Sequence, residues 1–152
     1  MDRFKLEKSA MEKMSKAEYL AFLDAPARCG KLATVRADGR PHLVPIWFIQ
    51  DGENVIFTAW RTSVKVNNIL RDGRVALCVD EDKPPYHYVV LEGHAEVLDT
   101  SSDATRYWAT RIGGRYMGSD RAEEFGVRYA LEGEWVLRMI PDKVIAYKNV
   151  IE

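Results

Sequence analysis

The fold of this chain is set by residues 30–60, GKLATVRADGRPHLVPIWFIQDGENVIFTAW. This stretch contains three runs rich in β-branched and aromatic residues, separated by Asp-Gly at 38–39 and again at 51–52. Asp-Gly between such runs is a strong signal for a tight hairpin, because the turn requires the positive φ angles that glycine adopts easily. The stretch therefore predicts an antiparallel meander of three strands.

Helical and β-rich segments alternate on both sides of the meander. Before it, SKAEYLAFLDAP at 15–26 begins with the capping-box pair Ser15 and Glu18 and predicts a short amphipathic helix. After it, a helix is expected over 63–71. Two further strands, RVALCVDED at 74–82 and YHYVVLEGHAEVLD at 86–99, are expected to be joined through a Pro-Pro turn.

The C-terminal third predicts helices followed by another strand pair. Residues 102–131 are expected to form two short helices, with Ser119 as the cap between them. The final strands, 134–140 and 143–150, are expected to be broken at Pro141-Asp142. Six or seven antiparallel strands with inserted helices predict a small α+β barrel, mainly β, as one domain over residues 1–152.

Composition excludes several classes of partner. The chain has 152 residues, 47% of them hydrophobic, and its 22 basic and 23 acidic side chains give a formal charge of −1. No overall field therefore attracts nucleic acid or an anionic membrane, and no apolar run approaches the roughly 20 residues that span a bilayer. Cys29 and Cys78 form no CxxC motif, and the N-terminal sequence has no signal-peptide core. We expect a soluble protein of the reducing cytoplasm, with no nucleic-acid or membrane partner.

Common catalytic and metal-binding signatures are missing from the sequence. There is no GxxxxGK[ST], and GGRYMG at 113–118 lacks the spacing of a dinucleotide-binding turn. The three histidines, His42, His87 and His94, fall on separate strands without metal-ligand spacing, so no metal site is predicted. No Ser-His-Asp arrangement can be assembled, and hydrolytic chemistry has no support.

The stretch TAWRTSVKVNNI at 58–69 has unusual charges for the start of a helix. Thr62 or Ser63 is a natural N-cap, but Arg61 and Lys65 surround it and the next acid is Asp72. A helix N-terminus carries about half a positive charge, so cations there cost up to roughly 1 kcal/mol. An anion on the helix end would explain them, because free N–H groups, a hydroxyl and two cations could converge on a phosphate. The alternative is an ordinary surface lysine.

Trp47 and Trp60 lie in neighbouring β-rich runs near this helix. Either tryptophan could pack in the core, or the segments PIWF and FTAW could offer an apolar wall to a flat heterocycle.

These residues together resemble a known family. GKLATVRADGRPHLVPIWFIQDG, VIFTAWRTSVKVNNILRDGRVALCVDED and YVVLEGHAEV, in this order and spacing, are similar to the pyridoxamine-phosphate-oxidase-like split β-barrel family, especially its flavin/deazaflavin oxidoreductase branch. The resemblance covers about residues 30–97. It implies a six-stranded antiparallel split β-barrel with flanking short helices, a homodimer, and FMN or the deazaflavin coenzyme F420 bound at the subunit interface.

The resemblance also implies which residues contact the cofactor. Ser63 and Lys65 match positions that hold its phosphate, and Asn68 matches a nearby polar contact. Thr58 matches the strand end that faces the ribityl chain. Pro45, Ile46 and Trp47 match the strand that runs along the isoalloxazine ring. Tyr86 and Tyr88 match the region where the second subunit closes the pocket.

Two departures from the family pattern limit the choice of ligand. The chain ends in KVIAYKNVIE, without the arginine motif that helps bind the vitamin phosphate, so pyridoxamine phosphate is not the expected substrate. Ser63 occupies a place where some deazaflavin-binding relatives have arginine, which favours FMN, with F420 as the alternative.

The cofactor would bring its own hydride chemistry, so we expect an oxidoreductase acting on a small organic substrate, with no catalytic side chain of its own. A non-catalytic carrier or sensor of flavin, F420 or haem is the alternative. A nucleic-acid-binding barrel ranks last, because acids such as those of VDEDK offset the basic residues.

Overall fold

The computed structural model describes residues 11–151. Within them, one antiparallel sheet is flanked by short helices. The strands are β1 Glu12–Lys13, β2 Gly30–Val35, β3 Pro41–Ile46, β4 Ile49–Asp51, β5 Asn54–Trp60, β6 Arg74–Asp80, β7 Tyr88–Asp99 and β8 Glu134–Lys148. The helices are α1 Lys16–Asp24, α2 Val64–Arg71, α3 Ser102–Met117 and α4 Ala122–Tyr129, with a 3₁₀ turn at Ser119–Arg121.

The sheet curls into an open barrel. Its strand order is β3-β2-β6-β7-β8-β5-β4, with β1 added beside β8. Strands β3 and β4 therefore occupy opposite edges, although only Trp47 and Phe48 separate them in sequence. Two residues of extended chain span only about 7 Å, so the two edges must come close together without pairing. The predicted mainly-β, antiparallel fold with flanking helices is confirmed, and the six long strands are supplemented by the short β1 and β4.

The meander differs from its prediction at one point. Both Asp-Gly turns form, with φ angles of +87° at Gly39 and +62° at Gly52. The run HLVPIWFIQ, however, is not one strand. Because β3 pairs with β2 at one edge of the sheet and β4 pairs with β5 at the other, the chain must leave the sheet at Trp47 and rejoin it after Phe48.

The predicted break at Pro141-Asp142 is wrong, because β8 is continuous from Glu134 to Lys148. The proline is accommodated by a bulge. Glu92 pairs with Lys143 and Gly93 pairs with Pro141, so Asp142 is left as an extra residue of β8. A proline lacks the N–H that a regular ladder needs, and an irregular point in the sheet is where a strand can tolerate it.

The helix predictions are mostly confirmed. Ser15 and Glu18 form the capping box at the start of α1. The predicted cap at Ser119 is wrong: this residue begins the 3₁₀ turn, and the residue before it, Gly118, ends α3 with a φ of +100°. A glycine can adopt this angle without the steric cost that a serine would meet.

The core lies inside the curled sheet. Its largest fully buried side chains come from several strands and from the connection between β3 and β4, and they include Phe48, Phe57, Leu32, Leu77, Leu91 and Leu137. Each such side chain contributes roughly 1.5–3 kcal/mol through burial. Helix α2 is fixed on this core by Val66 and Ile69, so the position of its N-terminus is set by packing.

Candidate cofactor site

The start of helix α2 has the geometry that the sequence predicts. Ser63 is the N-cap, with φ −65° and ψ 155°, and its hydroxyl accepts a hydrogen bond of 3.4 Å from the Val66 N–H. No acidic residue lies in the first turn. The positive end of the helix is therefore not compensated within its own sequence.

Lys65, in this first turn, is half-buried and faces a cavity. Its pKa is lowered because burial disfavours the ammonium ion, and the Glu134 carboxylate offsets this effect in part. No hydrogen bond to the ammonium group contributes to its pKa. A cation held in a partly desolvated position without such a partner is well placed to bind an anion.

The cavity measures about 210 Å³ and lies between the sheet and the α3–α4 hairpin. Its walls come from β3, β5, α2, α3, α4 and β8. The lining residues are Pro45, Ile46, Trp47, Thr58, Lys65, Ala109, Ile112, Gly113, Phe125, Tyr129 and Glu134. Half of the ten predicted cofactor contacts thus come together in one place, from three separate segments of the chain.

Trp47 contributes an aromatic wall and is also packed by the helices. Its indole stacks on Tyr116, with ring centroids 4.9 Å apart and planes within 5°, and is tilted against Phe125 at 5.7 Å. The Tyr116 hydroxyl accepts from the Phe48 N–H and donates to the Arg28 carbonyl, which fixes the ring. Trp60 is 42% exposed and does not line the cavity.

Three predicted contacts near α2 do not line the cavity. Ser63 is occupied as the helix cap, and Arg61 is exposed, with its backbone N–H bonded to the Gly133 carbonyl. The Asn68 side chain is buried under the helix, where it donates to Thr34 Oγ1 at 2.9 Å and accepts from Arg71 at 3.0 Å. Its amide therefore serves the attachment of α2 to the sheet.

Tyr86 and Tyr88 also lie away from the cavity of their own chain. Tyr86 is exposed in the turn between β6 and β7, with φ +58°. Tyr88 begins β7, and its ring lies 5.9 Å from that of Tyr147. Their predicted role involves a second subunit and stays a prediction.

Glu134 is a cavity residue that the sequence analysis missed. Glu134 is the first residue of β8 and is only 9% exposed. Burial raises the pKa of its carboxyl group, while a hydrogen bond from Thr58 and the charge of Lys65 act in the opposite direction. Only the pairing of β5 with β8, which places Glu134 opposite Trp60, brings this acid to the site.

The helical wall was missed as well. Helices α3 and α4 pack closely because Gly126 leaves no room for a side chain: a Cβ there would lie 1.9 Å from Thr110 Oγ1. Gly113 similarly lies against Phe125. The small residues let α3 and α4 approach each other closely enough for Phe125 and Tyr129 to close the cavity. The glycines of GGRYMG and EEFG are the sequence feature that could have predicted this helical wall.

The histidines contact separate parts of the structure. His87 Nδ1 accepts from the Asn149 N–H, and His94 lies 3.3 Å from the Asp142 carboxylate. His42 lies on β3, and its buried Nδ1 has no hydrogen-bond partner among residues 11–151. In the part of the chain that the structure describes, no group of three or more metal-ligating side chains is found.

The cavity fits part of a phosphorylated flavin or deazaflavin. Lys65 offers a cation to the phosphate, Thr58 and Glu134 offer polar atoms to a polyol, and Trp47 and Phe125 offer apolar surface. The volume, however, is below the roughly 300 Å³ at which pockets for such ligands begin. One chain could thus cradle only a portion of such a cofactor and would leave the remainder uncovered.

Comparisons of the sequence find a matching family model and a curated relative. Residues 15–145 match the family model of pyridoxamine 5'-phosphate oxidase. A 5a,11a-dehydrotetracycline/5a,11a-dehydrooxytetracycline reductase of Streptomyces rimosus is 36% identical over 85 residues, which cover 51% of this chain and 60% of the reductase. The chain thus spans less than two thirds of that curated relative.

Two solved structures share the fold. A conserved hypothetical protein of Mycobacterium tuberculosis superposes with a TM-score of 0.79 at 24% identity, over 90% of this chain and 86% of that protein. An F420 reductase superposes with a TM-score of 0.64 at 29% identity, over 82% of this chain and 94% of the reductase. Separately, none of the helices between residues 11 and 151 has the length and apolarity that crossing a bilayer requires.

Proposed function

Because this chain belongs to the pyridoxamine 5'-phosphate oxidase family, we propose that it is an oxidoreductase that binds FMN, or alternatively F420, and transfers hydride between this cofactor and a small organic substrate. The observation that carries the proposal is the half-buried Lys65, which faces the cavity without a hydrogen bond to its ammonium group. The reductase names of two relatives support the same reaction class.

The residues of this chain would hold and orient the cofactor. Lys65 would bind its phosphate, assisted by the helix N-terminus that Ser63 caps, and Thr58 would contact the ribityl chain. Pro45, Ile46 and Trp47 would run along the ring. When bound, the flavin or deazaflavin supplies the hydride chemistry, and the walls from α3 and α4 exclude water from one side.

The reaction is tested by mixing the protein loaded with FMN, or with reduced F420, with panels of reductants and unsaturated organic acceptors. We expect the absorption band of the bound flavin or deazaflavin to change on mixing, because hydride transfer alters the conjugated ring. Lys65→Ala protein, which should load poorly, is the control. Tight binding with no redox change across the panels would instead favour a carrier or sensor.

We further propose that the protein is a homodimer whose partner completes each site. Besides the small cavity, the outer face of β6, β7 and β8 supports this proposal. Cys78 pairs with Val90, and Val90 pairs with Ile145, so a row of half-buried apolar side chains crosses three strands. Tyr88 lies two residues before Val90 and shares its face. A two-fold interface would cover such a surface with one self-complementary patch.

Cofactor should then stabilise the dimer. A ligand that binds only the assembled site shifts assembly by mass action. Sedimentation at low micromolar concentration is expected to show a dimer, with a larger dimer fraction when cofactor is added. A monomer that binds FMN or F420 with undiminished affinity would show that the shared-site proposal is wrong. Val90→Arg, which places a charge on the apolar row, should weaken the dimer, whereas Ala37→Arg on the exposed turn between β2 and β3 should not.

A further inference from the structure

Glu134 has no role in the hydride transfer proposed above, although it lies in the same cavity as Lys65. The two residues reach the cavity from different elements, β8 and α2, and the charge of each changes the pKa of the other. They are not within ion-pair distance in the part of the chain that the structure describes. The cavity therefore presents a cation and a separate carboxyl group to any ligand.

The other elements around Glu134 add little charge. Strand β5 contributes the Thr58 hydroxyl, which donates to the carboxyl group, and α4 contributes Tyr129. Helix α3 contributes only Ala109, Ile112 and Gly113. With Glu134 ionised, the cavity is neutral overall. With Glu134 protonated, the cavity carries the single positive charge of Lys65.

This charge balance distinguishes two kinds of phosphate. The phosphate of FMN is a monoester, whose second pKa near 6 gives it close to two negative charges above neutral pH. The phosphate of F420 is a diester and carries one. A single cation can neutralise a monoanion, but a dianion leaves one charge uncompensated beside a buried acid, where repulsion is only weakly screened.

We propose that Glu134 makes this site selective for a phosphodiester over a phosphate monoester, and hence for F420 over FMN. The inference rests on the proposed function, since it assumes that Lys65 binds the cofactor phosphate. A dianion would be left with only one cation.

The test compares dissociation constants for FMN and F420 in the parent protein and in Glu134→Gln at pH 8, measured by calorimetry or by fluorescence. The glutamine keeps the size and the hydrogen-bonding capacity but removes the negative charge. We expect the variant to bind FMN roughly tenfold more tightly and F420 less than about threefold more tightly, because the repulsion scales with the charge of the phosphate beside Glu134. The ratio of the FMN dissociation constant to the F420 dissociation constant should therefore decrease.

Glu132→Gln is the matched control. It makes the same charge change two residues away on an exposed side chain, so the ratio should stay as in the parent. Glu134→Ala repeats the test if the glutamine variant does not fold. The parent protein provides a third measurement, because its preference for F420 should shrink at pH 5.5, where the monoester phosphate takes up a proton and becomes a monoanion.

The outcomes separate this inference from the proposed function. If the parent binds neither FMN nor F420, the proposed function is wrong and the inference falls with it. If the parent binds both and Glu134→Gln leaves the ratio unchanged, the selectivity assigned to Glu134 is wrong while cofactor binding stands. A parent preference for FMN would also overturn the inference.

Discussion

Lys65→Ala is expected to weaken cofactor binding by about 1.5–3 kcal/mol, the range for losing a charge-assisted hydrogen bond. This loss corresponds to roughly 10- to 150-fold in the dissociation constant. The reason is that Lys65 is the cavity's cation, placed in the first turn of α2 where the helix end also favours an anion. Titration of the cofactor-free protein with FMN and with F420 measures the effect.

The fold should not suffer from this substitution. Lys65 is partly desolvated and its ammonium group has no hydrogen bond that contributes to its pKa, so its removal costs the cofactor-free protein little. An unchanged melting temperature would therefore accompany the lost affinity. Lys65→Glu should bind more weakly still, because it places a second acid near Glu134.

Lys16→Ala removes a cation from an exposed position of α1 and serves as the control. It should leave cofactor affinity as in the parent. Equal affinities for Lys65→Ala and the parent would mean that the phosphate lies elsewhere, and the exposed Arg61 would then become the first alternative to test.

The local elements were readable from the sequence because short-range chemistry specifies them. Asp-Gly turns, the capping box at Ser15 and the Ser63 cap depend on residues within a few positions of each other. The misplaced charge at Lys65 could be found for the same reason. It is a conflict between a side chain and its own helix, which needs no knowledge of distant segments.

The missed features all depend on pairing between distant segments. Glu134 reaches the site only because β8 pairs with β5, and Asn68 is drawn away from the site because Thr34 on β2 offers it a hydrogen bond. Strands β3 and β4 are separate because each of them forms a different edge of the curled sheet. None of these partners can be identified from local periodicity.

The choice of cofactor shows how these two kinds of evidence can differ. Ser63, where some deazaflavin-binding relatives have arginine, favoured FMN in the sequence analysis. Glu134, visible only in the fold, favours the phosphodiester of F420. The sequence signal at Ser63 concerns one possible cation, whereas the structure gives the charge balance of the whole cavity. The measured ratio of the affinities for FMN and F420 decides which of these two indications is right.

The bulge between β7 and β8 provides the other large expected effect. Gly93 is buried opposite Pro141, at the point where Asp142 is left over in β8. A Cβ on Gly93 would lie 2.1 Å from the Ile140 carbonyl oxygen and 2.9 Å from the Pro141 Cα. Both are backbone atoms, so the clash cannot be relieved by turning a side chain, and one strand must move.

Gly93→Ala is therefore expected to destabilise the fold by roughly 2–4 kcal/mol, at the upper end for overpacking. For a protein of this size that corresponds to a fall of about 4–16 °C in the melting temperature. His94→Ala, at the next position, removes an exposed side chain and its surface contact with the Asp142 carboxylate. It should cost no more than about 1 kcal/mol.

Thermal and denaturant unfolding of the two variants and the parent would measure the difference. If Gly93→Ala unfolds like His94→Ala, then β8 does not pass as closely to β7 as the structure shows, and the predicted break at Pro141-Asp142 would regain support. A large and specific loss would instead establish that the glycine opposite Pro141 allows one uninterrupted strand to run from Glu134, in the cavity, to Ile145, on the outer apolar row. The same strand would then connect the cofactor site to the surface proposed for the second subunit, which is the arrangement that a site shared between two chains requires.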